Sequence, residues 1–230
     1  MAPYYSETRK GTISLKNGSS FKETKSQSNF PYRAAVKRAI DILFVVAALP
    51  IVLPLVVLVA VMIAMDGSNP FYLQKRVGQG GRNFTMWKLR TMVPNAQDLL
   101  EGYLSKNERA QAEWDKDQKL KDDPRITPLG KFLRKSSLDE LPQLWNVWTG
   151  EMSLVGPRPM LPEQQTMYPG KCYYNLRPGI TGLWQVSERN QSTFADRAKF
   201  DTAYDNSLSL KTDMKILWAT VGVVFCGTGY

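Results

Sequence analysis

From Ile42 to Met65 the chain runs for 24 residues without a charge, and prolines stand at positions 50 and 54 within that run. As one straight helix the run would reach about 36 Å, against a bilayer hydrocarbon core of roughly 30 Å. By composition alone it fits a transmembrane span. The prolines complicate this. Pro50 has no amide to give the Val46 carbonyl, and Pro54 has none for the carbonyl of Pro50. Each costs about 3 kcal/mol in a helix interior, and the pair predicts a sharp bend. Charge placement points the same way. Arg33, Lys37 and Arg38 precede the run, and Lys75, Arg76, Arg82, Lys88 and Arg90 follow it. Basic flanks on both sides suit a segment that enters and leaves one membrane face, whereas a single span would put one flank on the wrong side. The reading taken is a bent, re-entrant helix that closes most of its backbone bonds within one leaflet.

The excess of positive charge lies close to this segment. The chain carries +9 overall, and residues 1 to 40 hold eight Lys/Arg against Glu7 and Glu23, a net +6. A basic stretch beside an apolar run favours anionic lipid over nucleic acid, for which no motif is present. Residues 1–30 are polar without apolar periodicity and read as a disordered basic tail. The apolar run begins too late and is too long for a signal peptide.

Composition also restricts the chemistry. There is no histidine, which excludes Ser-His and Cys-His catalysis and histidine-based metal sites. The two cysteines, Cys172 and Cys226, have no metal-binding spacing and read as buried reduced thiols. Acid–base or covalent chemistry must therefore use carboxylates, lysines, tyrosines or water.

Arg134 to Pro159 concentrates such groups: Ser137-Leu138-Asp139-Glu140, apolar positions at helical spacing (Leu141, Leu144, Val147, Trp148), a stop at Thr149-Gly150, then Gly156-Pro157-Arg158-Pro159. The structural reading of Ser-x-x-Glu is a capping box, with Ser137 bonding the Glu140 amide. Pro142 would kink a helix begun at Ser137, which moves its start a residue or two later. Arg134 and Arg158 are more cationic charge than a cap requires. Together the groups can hold a divalent metal and a phosphorylated substrate.

Around this centre, Phe71–Gln74 and Phe84–Leu89 read as strands joined by a turn at 78–81, whose glycines complete no phosphate-loop pattern. Residues 94–119 read as a charged helical stretch interrupted near Ser105. It contains Asp115-Lys116-Asp117, a formal D-x-D match in a solvated setting. Thr127-Pro128 reads as an N-cap and first helical residue. Arg177 to Gly182 reads as a tight turn and Leu183–Val186 as a short strand. Phe194–Tyr204 is amphipathic, with Phe194, Ala198 and Ala203 on its apolar side. Met214–Phe225 suits either the core or the membrane interface.

Several long motifs occur in one order: Lys37-Arg38-x-x-Asp41, the proline-broken apolar helix, Lys88-Leu89-Arg90-Thr91-Met92, Asp123-Pro124-Arg125-Ile126-Thr127, Ser137 to Leu144, Gly156 to Pro159, and Arg177-Pro178-Gly179-Ile180-Thr181-Gly182-x-Trp184-Gln185. From about residue 33 to the C-terminus the chain resembles the bacterial sugar transferases, and among them the small monotopic phosphoglycosyl transferases that start exopolysaccharide repeats. The resemblance implies transfer of a sugar-1-phosphate, galactose favoured, from a UDP-sugar to undecaprenyl phosphate, releasing UMP, with Mg²⁺ as cofactor. It implies Asp139 as nucleophile, forming a phosphosugar–enzyme intermediate, with Glu140 and Asp139 at the metal. Arg134 and Arg158 fall in phosphate-contacting motifs, Lys88, Arg90 and Arg189 in basic family positions, and Pro54 (with Pro50 in addition) at the membrane-helix break. The chain departs from the family at Glu188, where Gly is usual, at Leu53, where Ser is usual, and at Glu151, where Asp is usual.

The expected fold is α+β and mainly helical: a proline-kinked re-entrant membrane helix over 31–66, packed on a small cytoplasmic catalytic domain over 67–230 with a few short strands. The expected location is the cytoplasmic face of the bacterial inner membrane. The expected partners are the nucleotide-sugar donor, the lipid acceptor, anionic lipids and, as an open option, a second copy in a homodimer. The competing functions are a catalytically silent membrane-surface scaffold and a D-x-D glycosyltransferase.

Overall fold

The structure is a computed structural model and describes residues 32–117, 120–187 and 193–225. The expected tail over 1–30, together with Glu188, Arg189 and Cys226, lies outside the described residues. The fold is mainly helical with four short strands among the described residues. The apolar run forms α1 (Lys37–Ala64), a single 28-residue helix that continues through Pro50 and Pro54 and is long and apolar enough to cross a membrane.

One stripe of α1 faces the rest of the protein. Asp41, Val45, Val59 and Ile63 are buried, and Ala48, Val52, Leu55 and Val56 between them are half-buried. These positions recur at three- and four-residue steps, so they form one helix face. The opposite face is apolar and exposed, Ile51 by 76%. The buried stripe meets two clusters. Val45 joins Val147, Met152, Leu154, Val155 and Ile216, while Val59 and Ile63 join Leu89 and Leu133. The helix is therefore packed near both of its ends.

Buried polar contacts fix the first turn. Asp41 Oδ1 accepts from Ser153 Oγ at 3.1 Å and from the Leu154 amide at 3.0 Å. Burial raises the pKa of this carboxyl, and the Leu154 amide, Lys37 and Ser153 oppose the rise. Asp213 accepts from Tyr32 and Tyr204 hydroxyls and from Lys37 Nζ, each at 2.6 Å. Arg38 donates to the Val147 and Trp148 carbonyls.

The hairpin forms as expected: β1 (Phe71–Val77) pairs antiparallel with β2 (Asn83–Leu89), Tyr72 opposite Lys88. The charged stretch divides near Ser105 into α2 (Ala96–Leu104) and α3 (Glu108–Asp117). Thr127 caps α4 (Pro128–Ser136), accepting from the Gly130 amide at 2.9 Å. Helix α5 (Gln143–Thr149) starts only after Pro142 and ends at Gly150, whose φ of 88° suits glycine.

A second sheet was not anticipated. Strand β3 (Ser153–Val155) lies parallel to β4 (Gly179–Thr181), with the one-turn helix α6 (Cys172–Asn175) between them in sequence. The strand expected at Leu183–Val186 is instead the one-turn helix α7, and the expected turn before it holds the strand. A run of four apolar residues carries no period long enough to separate the two. The motif glycines account for the pairing. A Cβ on Gly179 would overlap the Gly156 backbone, and one on Gly182 would overlap the Gly156 carbonyl. Two segments far apart in sequence meet backbone to backbone there.

Two helices complete the chain. In α8 (Arg197–Asn206) the buried face is Ala198, Phe200, Asp201 and Tyr204, so Ala203 is less central than the amphipathic reading had it. In α9 (Leu210–Phe225), Ile216 is fully buried while Trp218 is 72% exposed. The helix thus has both a core side and an exposed apolar side.

Gly182→Ala tests the backbone crossing. The added methyl must push Gly156 aside, so a loss of about 2 kcal/mol or more is expected, with a fall in melting temperature of roughly 4 °C or more in detergent. An unchanged melting curve would contradict the crossing.

Candidate active site

The two acids do not occupy a capping box. Ser137, the one non-glycine residue with positive φ among the described residues, sits in the left-handed region at φ 57°, ψ 19°. Its side chain makes no cap; the Glu140 amide donates to its backbone oxygen at 3.2 Å. The chain turns sharply out of α4 and enters a 3₁₀ turn, Leu138–Glu140, that holds both carboxylates ahead of α5. A left-handed serine costs about 1–2 kcal/mol, and such strain persists where surrounding packing fixes it. Leu133 and Leu138 provide that packing against the α1 cluster.

Asp139 is only 8% exposed. Lys88, from β2, places its ammonium 2.7 Å from Glu140 and 3.9 Å from Asp139. Burial, with the Glu140 charge, pushes Asp139 up to about 6, and the Lys88 and Arg134 charges oppose the rise. Arg134 reaches back from α4 and donates Nε to Thr91 Oγ1 at 2.9 Å, while burial, opposed by Asp139 and Asp123, lowers its pKa. Asp123 is itself engaged by the Arg125 fork at 2.8 and 2.7 Å.

Asn146, fully buried in α5, locks this arrangement to the hairpin. Its Oδ1 accepts from the Trp87 amide at 3.1 Å, and its Nδ2 donates to the Thr85 carbonyl and to Glu151, each at 2.7 Å. The strand carrying Lys88 and the turn carrying the acids are thereby held in register. Glu151 also accepts from Thr149 Oγ1 at 3.1 Å, which gives the longer acid at that position a structural role.

The expected residues separate into groups. Asp139, Glu140, Lys88 and Arg134 come together. Arg90, two residues past Lys88, instead sends Nη2 to Asp66 at 2.7 Å and to the Ile63 carbonyl at 3.2 Å, at the end of α1. Arg158 is exposed and lies among Arg76 and Arg197, of which Arg76 also senses Glu140. Asp115 of the D-x-D pattern accepts from Gln111 at 2.8 Å on the exposed surface of α3. Thr91, Asn146, Arg76 and Arg197 escaped sequence reading; only Thr91, inside the Lys88–Met92 motif, carried any local signal.

Comparison with known proteins places the chain in a family. The bacterial sugar transferase family pattern matches residues 32–227, and the chain belongs to that family. It is 48% identical over 191 residues to a UDP-galactose-lipid carrier transferase of Erwinia amylovora, covering 82% of this chain and 40% of the relative. It is 44% identical over 202 residues to an undecaprenyl-phosphate galactose phosphotransferase of Salmonella typhimurium, covering 86% and 42% respectively. With the exopolysaccharide production protein ExoY of Sinorhizobium fredii it shares 42% over 202 residues, covering 86% of this chain and 89% of the relative. The chain thus spans about two fifths of the first two relatives and most of the third.

Asn146→Ala should leave the part-buried Trp87 amide and Thr85 carbonyl without their side-chain partner, at a cost of about 1–3 kcal/mol. Thermal unfolding in detergent reads this, and a loss within error of zero would mean that Asn146 does not hold the turn to the hairpin.

Proposed function

We propose that the chain is a phosphoglycosyl transferase, moving a sugar-1-phosphate from a UDP-sugar to undecaprenyl phosphate and releasing UMP, as the first step of exopolysaccharide repeat synthesis. Galactose-1-phosphate is the favoured group, in keeping with the names of the relatives. The observation that carries the reading is the buried Asp139 beside an ammonium and a guanidinium. Asp139 attacks the β-phosphorus; its Oδ–P bond forms as the bond to the bridging oxygen breaks, and the electron pair leaves with UMP. A lipid phosphate oxygen then attacks the same phosphorus and Asp139 departs. No proton has to be removed from the nucleophile, which suits a chain without histidine.

The surroundings of Asp139 serve that step. Lys88 and Arg134 lower the repulsion between a carboxylate and the pyrophosphate oxygens. Among the described residues no three His/Cys/Asp/Glu side chains form a metal cage. Adjacent Asp139 and Glu140 nevertheless suit Mg²⁺, which binds through one or two carboxylates and takes its remaining ligands from phosphates and water. Bound there, Mg²⁺ would supply charge neutralisation at the phosphoryl oxygens. Asp139→Asn should reduce UMP release to background while membrane association persists. A rapid-quench adduct with labelled donor should map to Asp139; near-normal turnover, or an adduct elsewhere, would refute the assignment. UMP release also separates the reading from its rivals, since sugar transfer gives UDP and a scaffold gives neither.

The re-entrant reading of α1 rests on its packing at both ends. Burial of Val45 and of Ile63 ties the start and the finish of the helix to one domain, whereas a perpendicular span of 28 residues would carry one end about 42 Å away. The two prolines favour a bend within one leaflet, on the cytoplasmic face where UDP-sugars are available. Single cysteines placed in the tail and in α3 should be labelled from the same side in sealed vesicles; opposite accessibility would establish a span.

A further inference from the structure

One exposed aromatic side chain borders the acids. Tyr72 of β1 stands directly opposite Lys88 in the hairpin register and is 48% exposed. Directly opposed side chains of an antiparallel pair share a face, with their Cβ atoms about 5 Å apart. Lys88 uses that face to reach the acids, its ammonium 2.7 Å from Glu140 and 3.9 Å from Asp139. Strand alternation decides which way Tyr72 looks. Phe71 and its partner Leu89 turn to the opposite face and pack with Val59 and Ile63 of α1. Phe71 also meets Trp87 edge to face there, 5.8 Å between ring centroids. Tyr72 therefore faces away from the apolar helix. Along its own face lie the buried Met86 and Phe84, and Gln74, which accepts from Arg76 Nη2 at 2.6 Å. Arg76 is within electrostatic reach of both Tyr72 and Glu140, so phenol, guanidinium and acids border one space.

Exposure alone would leave Tyr72 an ordinary strand residue. Its register opposite Lys88 gives it a neighbour in the reaction. Asp139, in the transfer proposed above, attacks the phosphorus that bears the sugar. The attacking and leaving oxygens lie in line, so the sugar oxygen is equatorial, to the side of Asp139. The uridine hangs beyond the leaving oxygen, one phosphate further off. A ring beside the acids, rather than opposite them, meets the hexose first. Galactose offers such a ring a suitable surface. Its axial 4-hydroxyl leaves C3–H, C4–H and C5–H together on one side as a continuous apolar patch, whereas in glucose C4–H lies on the other side. The electron-rich face of an aromatic ring matches polarised C–H bonds of that kind. We infer that Tyr72 is the platform on which the donor's hexose stacks, and that it favours galactose over glucose. The inference rests on the sugar-phosphate transfer proposed above and names the residue that chooses its sugar.

The test measures UMP release by full-length protein in nanodiscs, with undecaprenyl phosphate and Mg²⁺, from UDP-galactose and from UDP-glucose. The wild type should show the higher kcat/KM with UDP-galactose. Tyr72→Ala should lower that value about fivefold, the scale of one lost aromatic contact, and through KM more than kcat. The loss with UDP-glucose should be smaller, so that the preference narrows. Tyr72→Leu, which keeps apolar bulk on the strand, should behave like Tyr72→Ala. Tyr72→Phe and Tyr72→Trp should keep the preference, because the ring carries it and the hydroxyl does not. Inhibition by UMP, which has no hexose, should be the same in every variant. An unmoved ratio between the two donors in Tyr72→Ala would overturn the platform. Weaker inhibition by UMP would overturn it too, by placing the ring on the nucleotide, as would a loss confined to the KM of undecaprenyl phosphate. A wild-type preference for UDP-glucose would overturn the choice of galactose. Wild-type protein that releases UMP from neither donor would remove the transfer itself, a failure distinct from an unmoved ratio.

Discussion

The structure depends on a buried carboxylate at the foot of an apolar helix. Asp41, in the first turns of α1, accepts two hydrogen bonds from β3, and from Ile42 to Met65 the chain carries no charge. Fixing that turn sets the direction in which the remaining apolar residues run, so that Val59 and Ile63 arrive over Leu89 and Leu133. Leu133 lies in the helix that carries Arg134, and Leu89 adjoins Lys88. The apolar helix and the segments that carry Lys88 and Arg134 thus share one packing layer. Burying a carboxylate is costly, and its raised pKa reflects that cost; two directed hydrogen bonds recover part of it and give the helix a single orientation.

The same economy is visible at the acids. Placing Asp139 in a dry turn weakens its ionisation, and Lys88 and Arg134 offset part of that loss. Such a carboxylate is poorly hydrated and close to fixed positive charge, which is the condition for attack on an anionic phosphorus centre. The left-handed Ser137 makes the turn sharp enough to hold both acids in a short 3₁₀ turn ahead of α5.

Much of this was legible in the sequence where local rules govern. The hairpin, the Thr127–Pro128 start of α4 and the Gly150 stop of α5 each follow from residues within a turn of one another. The acidic pair was legible as a site, but its geometry was not. Ser-x-x-Glu has a favourable local structure, and tertiary packing around Leu133 and Leu138 overrides it. The parallel pairing of β3 and β4 was hidden because it joins segments about two dozen residues apart, and three-residue strands have no period to detect. Arg76 and Arg197 were invisible for the same reason: as single basic residues on a strand and a helix they look like solvated surface, and only the fold brings them to Arg158.

The dual allegiance of α1 has a practical outcome. One face completes the interior of the domain and the other is exposed and apolar, so the helix is not an appendage that can be trimmed. A version shortened to begin after Met65 would lose the lining of Leu89 and Leu133 and the support for β3 in one stroke, and would be expected to precipitate rather than behave as a soluble fragment. The exposed apolar surface and the packing that completes the core belong to one helix and cannot be separated.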